Sequence, residues 1–505
     1  MNAKKICLFV VMFAITVQNF VSGESRIQRF IKRNACGELV GAGCGLTACA
    51  IKAYFDYKTY LSENPNDDIS FTAWLTTSEW VSENKWVILG TAFTGAVAGG
   101  LAQHGYRKYT STKETKELIA QYEVELNKLT PQEKRKICAL VYAAAGDAAG
   151  GVTEFVNTTA RIKERFGDAG IQWIDDENVL HARLADGKIR YTDDTFMAKQ
   201  VLDIYKIHKN DADANAFIDN LKDEFTKMFQ DDNYDPYFNM RAHGPTNASS
   251  CLYPQNRNHG TEGGCGSVMR AWPIGLFETD PAKAGRLAVA QSDITHSHPS
   301  ARAACAGVAA GITTLLNETN AHNDEATVKQ AVANSMIVEA DKYEPPDTNR
   351  FDRALFQSQE STASIIKISQ TALSKGNMAT GDIFALAKFA GTHPGDETSP
   401  AIILGATNQR INHRSITGAL LGWPAGESSG AMLYLLMRYG SNVDAALSAA
   451  INTPGDSDSI ASLAGVFCGA LNGDTTALLK KPKLSKLESL NEFLSFRDQP
   501  VVAAY

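Results

Sequence analysis

No C-x-x-C pair occurs among the nine cysteines, so the sequence lacks the ligand spacing of a zinc finger. Cys138, Cys305 and Cys468 fall within Ala-rich helical patterns, where a thiol serves as a small apolar group. Cys36, Cys44 and Cys49 are too irregularly spaced to read as a disulfide framework. Sustained period-2 alternation is missing from residues 134–473, which argues against a sheet. A basic face is missing too: 49 Lys and Arg stand against 56 Asp and Glu, a net charge of -7, and no run of cations gives the footprint of a general nucleic-acid binder.

What remains is helical. The chain has 505 residues, 44% hydrophobic and 21% charged, and is rich in Ala and Gly rather than in β-branched runs. Thr130-Pro131-Gln132-Glu133 reads as a fresh helix start after a charged stretch, which places a boundary near Pro131. Beyond it, helix follows helix with polar, Gly-bearing loops, so residues 131–473 form an all-α multi-helix domain, followed by a tail at 474–505 with a short helix. Small residues recur four apart at Gly307 and Gly311, Gly418 and Gly422, and Gly465 and Gly469, a spacing that suits close helix crossings.

The first 130 residues have a different character. Lys4-Lys5, the apolar run from Ile6 to Val17 and a polar step through Val21-Ser22-Gly23 have the order of a secretory leader, assigned here to 1–23. Within the helical region 24–130, two apolar stretches at 39–55 and 86–102 approach the length needed to span a bilayer. Basic residues flank the pair outside and acidic residues lie between, as in a hairpin with both ends on the cytoplasmic side. A membrane hairpin and a soluble helical hairpin fit these stretches equally, and a secreted or membrane-associated location is expected.

Two acidic clusters carry the chemistry. Tyr191-Thr192-Asp193-Asp194-Thr195 sits where a helix should begin, with Thr192 as N-cap and Phe196, Met197, Val201, Leu202 and Tyr205 giving the apolar face that follows. Capping alone would explain one such cluster. A second, Gly455-Asp456-Ser457-Asp458-Ser459, also opens a helix, and two of them on neighbouring helix ends would crowd four carboxylates into a place that needs cations.

Three further stretches are candidates. Gly146-Asp147-Ala148-Ala149-Gly150-Gly151-Val152-Thr153-Glu154 ends a helix and aims Glu154 from a loop. Gly263-Gly264-Cys265-Gly266-Ser267-Val268-Met269-Arg270 offers successive backbone amides to phosphate oxygens, but lacks the Gly-Lys-Ser/Thr ending of a P-loop. Thr295-His296-Ser297-His298-Pro299 has no third soft ligand nearby, so a hydrogen-bonding role toward sugar hydroxyls is preferred to a metal role.

In order along the chain, these pieces together with Glu427-Ser428, Ala431 and Tyr434 resemble the ADP-ribosylglycohydrolase family over about Lys134 to Gly473. The resemblance implies an all-α orthogonal bundle with two Mg²⁺ ions, or Mn²⁺, between the acidic clusters. Thr192, Asp193, Asp194, Asp456, Asp458 and Ser459 would be the ligands, with Ser459 and Ser457 standing where the family has Thr and Pro454 where it has Gly. Glu154 would approach the scissile ribose, with Glu154 or Asp193 as acid/base, and Gly264, Cys265, Gly266, Ser267, Met269 and His296 would contact substrate.

Such a site would cleave an ADP-ribosyl bond on a protein or small molecule through an oxocarbenium-like state. A Mg²⁺-dependent prenyl-diphosphate enzyme fits less well, because no third Asp follows Asp193-Asp194 at helical spacing. A catalytically weak ADP-ribose reader or membrane scaffold is the non-enzymatic alternative. Residues 231–257, with Tyr234, Tyr237, Phe238 and Tyr253, form a long loop suited to cover the pocket. The Asn157, Asn247 and Asn317 triplets read as chance glycosylation patterns.

Overall fold

The computed structural model describes residues 120–156, 158–171, 188–210, 214–253, 263–321, 324–345, 364, 371–372, 378–393, 410–411, 414–415, 420–481 and 484–497. The leader, both apolar stretches at 39–55 and 86–102, and Cys36, Cys44 and Cys49 lie outside the described residues. Among those described, no helix is long and apolar enough to cross a membrane. The chain divides into units 1–118 and 119–505, and the second is the one described here.

Its described residues are mostly helical, in keeping with the sequence pattern. Its principal helices are α1 (Pro131–Gly150), α2 (Thr159–Phe166), α3 (Asp193–His208), α4 (Ala214–Gln230), α5 (Pro245–Leu252), α6 (Trp272–Phe277), α7 (Pro281–Ser292), α8 (Pro299–Ala321) and α9 (Glu325–Ala340). They continue with α10 (Thr380–Thr392), α11 (Ala425–Tyr439), α12 (Val443–Ile451), α13 (Ser457–Asn472), α14 (Thr475–Leu479) and α15 (Leu490–Leu494). The strands among the described residues are a two-residue antiparallel pair, Arg410–Ile411 with Arg414–Ser415.

The helix start read at Thr130 is a full capping box. The Thr130 hydroxyl accepts from the Glu133 amide at 3.2 Å, and the Glu133 carboxylate accepts from the Thr130 amide at 2.9 Å. From there α1 runs into the centre of the core and packs antiparallel along α13. Small residues let the two backbones touch. A Cβ at Gly150 would lie 2.5 Å from the Ser457 carbonyl oxygen and 2.6 Å from the Asp458 Cα, and one at Gly465 would lie 2.2 Å from the Tyr142 carbonyl oxygen.

That close crossing is what brings the end of α1 against the first turn of α13. Gly150→Ala therefore collides with backbone, which cannot rotate away, and is expected to cost about 1–3 kcal/mol as an overpacked core does. A denaturant midpoint no lower than that of the wild type would show that the crossing has slack.

Candidate active site

The first acidic cluster is held from three sides. Its helix α3 opens with Thr192 as N-cap, whose hydroxyl accepts from the Asp194 amide at 3.4 Å, and the apolar face through Phe196, Met197, Val201, Leu202 and Tyr205 is buried. Asp147, on α1, accepts from the Thr192 and Thr195 amides, one with each carboxylate oxygen, at 2.8 Å apiece. The Asp193 amide donates to the Arg241 carbonyl at 2.7 Å.

Arg241 is itself buried. Its guanidinium grips Asp235 at 2.8 Å, the Tyr191 carbonyl at 2.8 Å and both oxygens of Glu488 at 2.8 and 2.9 Å. The backbone that presents Asp193 and Asp194 is thus fixed before any ligand arrives.

Asp147→Asn tests this frame. An amide has one acceptor oxygen where the carboxylate has two, so one buried N–H at the start of α3 loses its partner. The expected loss is about 1–3 kcal/mol by equilibrium unfolding.

The second cluster is built on a strained turn. Gly455 has φ +107°, and a Cβ there would sit 2.3 Å from the Leu421 carbonyl oxygen, so only glycine fits. That same oxygen accepts from the Asp456 amide at 2.8 Å, while the Leu421 amide donates to the buried Glu427 carboxylate at 2.9 Å. Asp456 accepts from the Cys265 thiol at 2.7 Å, and Asp458 accepts from the Ser459 amide at 3.0 Å. The Ser457 hydroxyl is turned away from the carboxylates and donates to the Gly150 carbonyl at 2.9 Å, whereas the Ser459 hydroxyl points toward the Cys265 sulfur at 3.8 Å.

Glu154 completes the centre. It lies in the turn that ends α1, its amide donating to the Gly150 carbonyl at 3.0 Å. Glu154, Asp456 and Asp458 each bring a carboxylate oxygen within 4.8 Å of the others. Asp193 and Asp194 are not part of this tightest group but lie within reach of its charges: Asp193, with Asp458 and Asp456, raises the Glu154 pKa, and Asp458 and Asp456 are among the charges that raise that of Asp194.

Burial comes first in pushing Glu154 up to about 11 and Asp147 up to about 7, with Asp458 the largest charge acting on each. Burial and then Asp458 also hold Asp194 and Asp456 well above the usual carboxylate range. One Asp194 oxygen is buried with no hydrogen-bond partner at all. Mutually repelling carboxylates with an orphaned oxygen are a donor set that a hard divalent cation satisfies.

Beside the carboxylates lies the Gly-rich turn. Gly264 bridges to Pro424, and the Cys265 amide donates to the Trp423 carbonyl at 3.0 Å. His296 packs against it, so that a Cβ at Gly266 would lie 2.9 Å from the imidazole. Buried Arg270 ties these parts together, donating to Gln291 at 3.0 Å, Asn247 at 2.9 Å and Thr295 at 2.6 Å. Burial, then the Arg270 charge, pull the His296 pKa down to about 3, so its ring is neutral.

A family model described as ADP-ribosylglycohydrolase matches residues 129–494, well over half of the chain. The chain belongs to the ADP-ribosylglycohydrolase family. Its structure is similar, with a TM-score of 0.40 and 14% sequence identity, to an "ADP-ribosylglycohydrolase-related protein complex", covering 72% of this chain and 96% of that one. No curated protein matches the chain.

Within this family member the residues singled out in the sequence fall into two sets. Glu154, Thr192, Asp193, Asp194, Asp456, Asp458, Ser459 and Cys265 gather at the facing ends of α1, α3 and α13 and the Gly-rich turn. Ser267 and Met269 point into the core instead, the Ser267 hydroxyl toward Ser292 at 2.8 Å and Cys305 at 3.3 Å. Asn247 is buried and committed to Arg270, which leaves no room for a glycan.

Of the loop aromatics, Tyr253 is exposed, Phe238 packs on Phe229 and Tyr237 lies under Arg190, while 254–257 fall outside the described residues.

Sequence reasoning assigned no role to Asp147, Arg241 or His243. Asp147 sits in an Ala and Gly stretch whose only visible signal is its isolation as a charge among small residues. His243 is ringed by Phe196, Phe229 and Phe238, with Nδ1 3.6 Å from an Asp193 oxygen. Nothing local in sequence connects it to position 193.

Proposed function

We propose that the chain hydrolyses the glycosidic bond between ADP-ribose and a protein side chain, releasing ADP-ribose. The observation that carries this reading is the convergence of Glu154, Asp456 and Asp458 on one point, beside the unpartnered Asp194 oxygen and the Gly-rich turn. Thr192, Asp193, Asp194, Asp456, Asp458 and Ser459 would hold two Mg²⁺ ions, with Mn²⁺ as a substitute. Bound there, the cations supply positive charge to hold vicinal ribose hydroxyls and orient a water.

The chain's own residues do the rest. Glu154, whose pKa burial and the charges around it raise, is the carboxyl group placed to give a proton to the departing acceptor atom, as a general acid must. Buried carboxylates below the sugar favour the positive charge that develops on the ribose as the bond breaks. The Cys265 amide is already spent on Trp423, so the pyrophosphate falls to the amides of Gly266 and Ser267. Neutral His296, packed on this turn, is placed to hydrogen-bond a sugar hydroxyl.

The test is direct. Purified full-length protein with Mg²⁺ should release ADP-ribose from peptides modified on Arg or on Ser, or from small-molecule conjugates, and Asp193→Ala should not. No release from any of them sinks the enzymatic reading, and tight ADP-ribose binding without release would mark a reader instead.

A further inference from the structure

Next to Glu154 in sequence is an aromatic side chain in a costly conformation. Phe155 has φ +63°, in the left-handed region that a bulky residue rarely occupies, and the residue is 61% exposed. Strain of this kind persists only where the surroundings impose it, and it gathers at working sites. Here the Phe155 amide donates to the Gly455 carbonyl at 3.1 Å, which ties the residue to the turn that presents Asp456. Its ring stacks on Trp423 with centroids 5.2 Å apart and planes 22° from parallel. Trp423 in turn receives the Cys265 amide through its carbonyl, so one aromatic pair spans the Glu154 turn and the Gly-rich turn.

A buried Phe would need no explanation. This one shows its outer face to solvent at the edge of the site, where burial gains little and the backbone strain is unrepaid by packing.

We infer that Phe155 and Trp423 form a shelf on the leaving side of the scissile bond, which takes a planar, π-bonded group of the acceptor and selects it over a saturated one. The inference rests on the role proposed for Glu154. A general acid must come within hydrogen-bond reach of the leaving atom, and the next residue's ring is then close enough to underlie the group attached to that atom. The Trp423 side of the pair is covered by stacking, which leaves the Phe155 face for the ligand. A planar cation stacks on such a face with the added attraction of charge for the ring quadrupole, and the carboxylates alongside favour the same sign. A saturated hydroxyl-bearing side chain has no flat surface to offer it.

The experiment compares two peptides, one ADP-ribosylated on an Arg guanidinium and one on a Ser hydroxyl, with wild type, Phe155→Ala and Phe155→Trp. Phe155→Ala should raise KM for the guanidinium-linked peptide by roughly 3- to 30-fold. It should leave KM for the Ser-linked peptide and the Kd for free ADP-ribose unchanged, and Phe155→Trp should restore the wild-type KM.

An equal change for both peptides, or no change for either, overturns the shelf. Weakened binding of free ADP-ribose does so as well, because the pair would then serve the nucleotide. Should the wild type release nothing from either peptide, the hydrolase reading fails on its own. The shelf is then decided by binding: in titration calorimetry N-acetylarginine methyl ester should bind the wild type roughly 3- to 30-fold more tightly than Phe155→Ala, and equal binding to both, or binding to neither, would overturn it.

Discussion

Asp456→Asn is expected to abolish most turnover and, at pH 8, to raise the melting temperature of the metal-free protein. The two effects have one cause. Asp456 is buried and lies against Asp458, and its ionised form is disfavoured first by loss of water and then by that neighbouring charge. An amide has no charge to desolvate and keeps an oxygen for the Cys265 thiol, which donates to Asp456 at 2.7 Å.

Removing this repulsion should add about 0.5–2 kcal/mol to the metal-free fold, the usual gain when a strained functional position is relaxed. The same change takes away a charged ligand and part of the negative field under the sugar. The rate should fall by roughly 10²- to 10³-fold, the size of losing one preorganised electrostatic contact. Calorimetry in chelator and a single-turnover assay read the two sides. A variant that is both less stable and inactive would mean that Asp456 is a structural residue, and the opposing signs are what separate the readings.

What could be read from the sequence, and what could not, follows from how local each signal is. Thr130 and Thr192 were legible because a capping residue, an acidic first turn and the apolar face behind it are all within a few positions. The all-α class was legible from the absence of alternation. Asp147 was not, because its meaning lies in two amides 45 and 48 residues away. Arg241 is fixed by Glu488, 247 residues on, and no periodicity reports such a pairing.

The Gly-rich stretch was half legible. Its glycines do make a tight turn near the carboxylates, but Ser267 and Met269, read as substrate contacts, are turned into the core by the packing of α7 and α8. Even the spacing of Gly465 and Gly469 told only that a helix would come close. That the partner is α1, and that the crossing carries Asp458 to the end of that helix, required the fold.

The crowding of these carboxylates also fixes how stability should depend on pH and on divalent cation. Asp147, ordinarily near 3.8, is pushed up to about 7, and Glu154, ordinarily near 4.5, up to about 11. Above their ordinary values the unfolded chain has released these protons while the native state still holds them. The native state then binds more protons than the unfolded one, so stability falls as pH rises.

His296 acts in the opposite sense, since its pKa drops from 6.5 to about 3 and burial of the neutral ring costs stability at acid pH. Between pH 6.5 and 9 that opposing contribution is spent and the carboxylates dominate. The melting temperature of the metal-free protein should therefore decline across this window. Saturating Mg²⁺ should flatten the decline, because a cation takes the place of the protons that Asp194 and Asp456 also retain, and a concentration one hundred times Kd adds about 2.7 kcal/mol.

Titration calorimetry in two buffers of different ionisation enthalpy should show protons leaving as the metal binds. A melting temperature that holds level from pH 6.5 to 9 in chelator, with no proton release on adding Mg²⁺, would mean that these carboxylates are already neutralised from within the protein and await no cation.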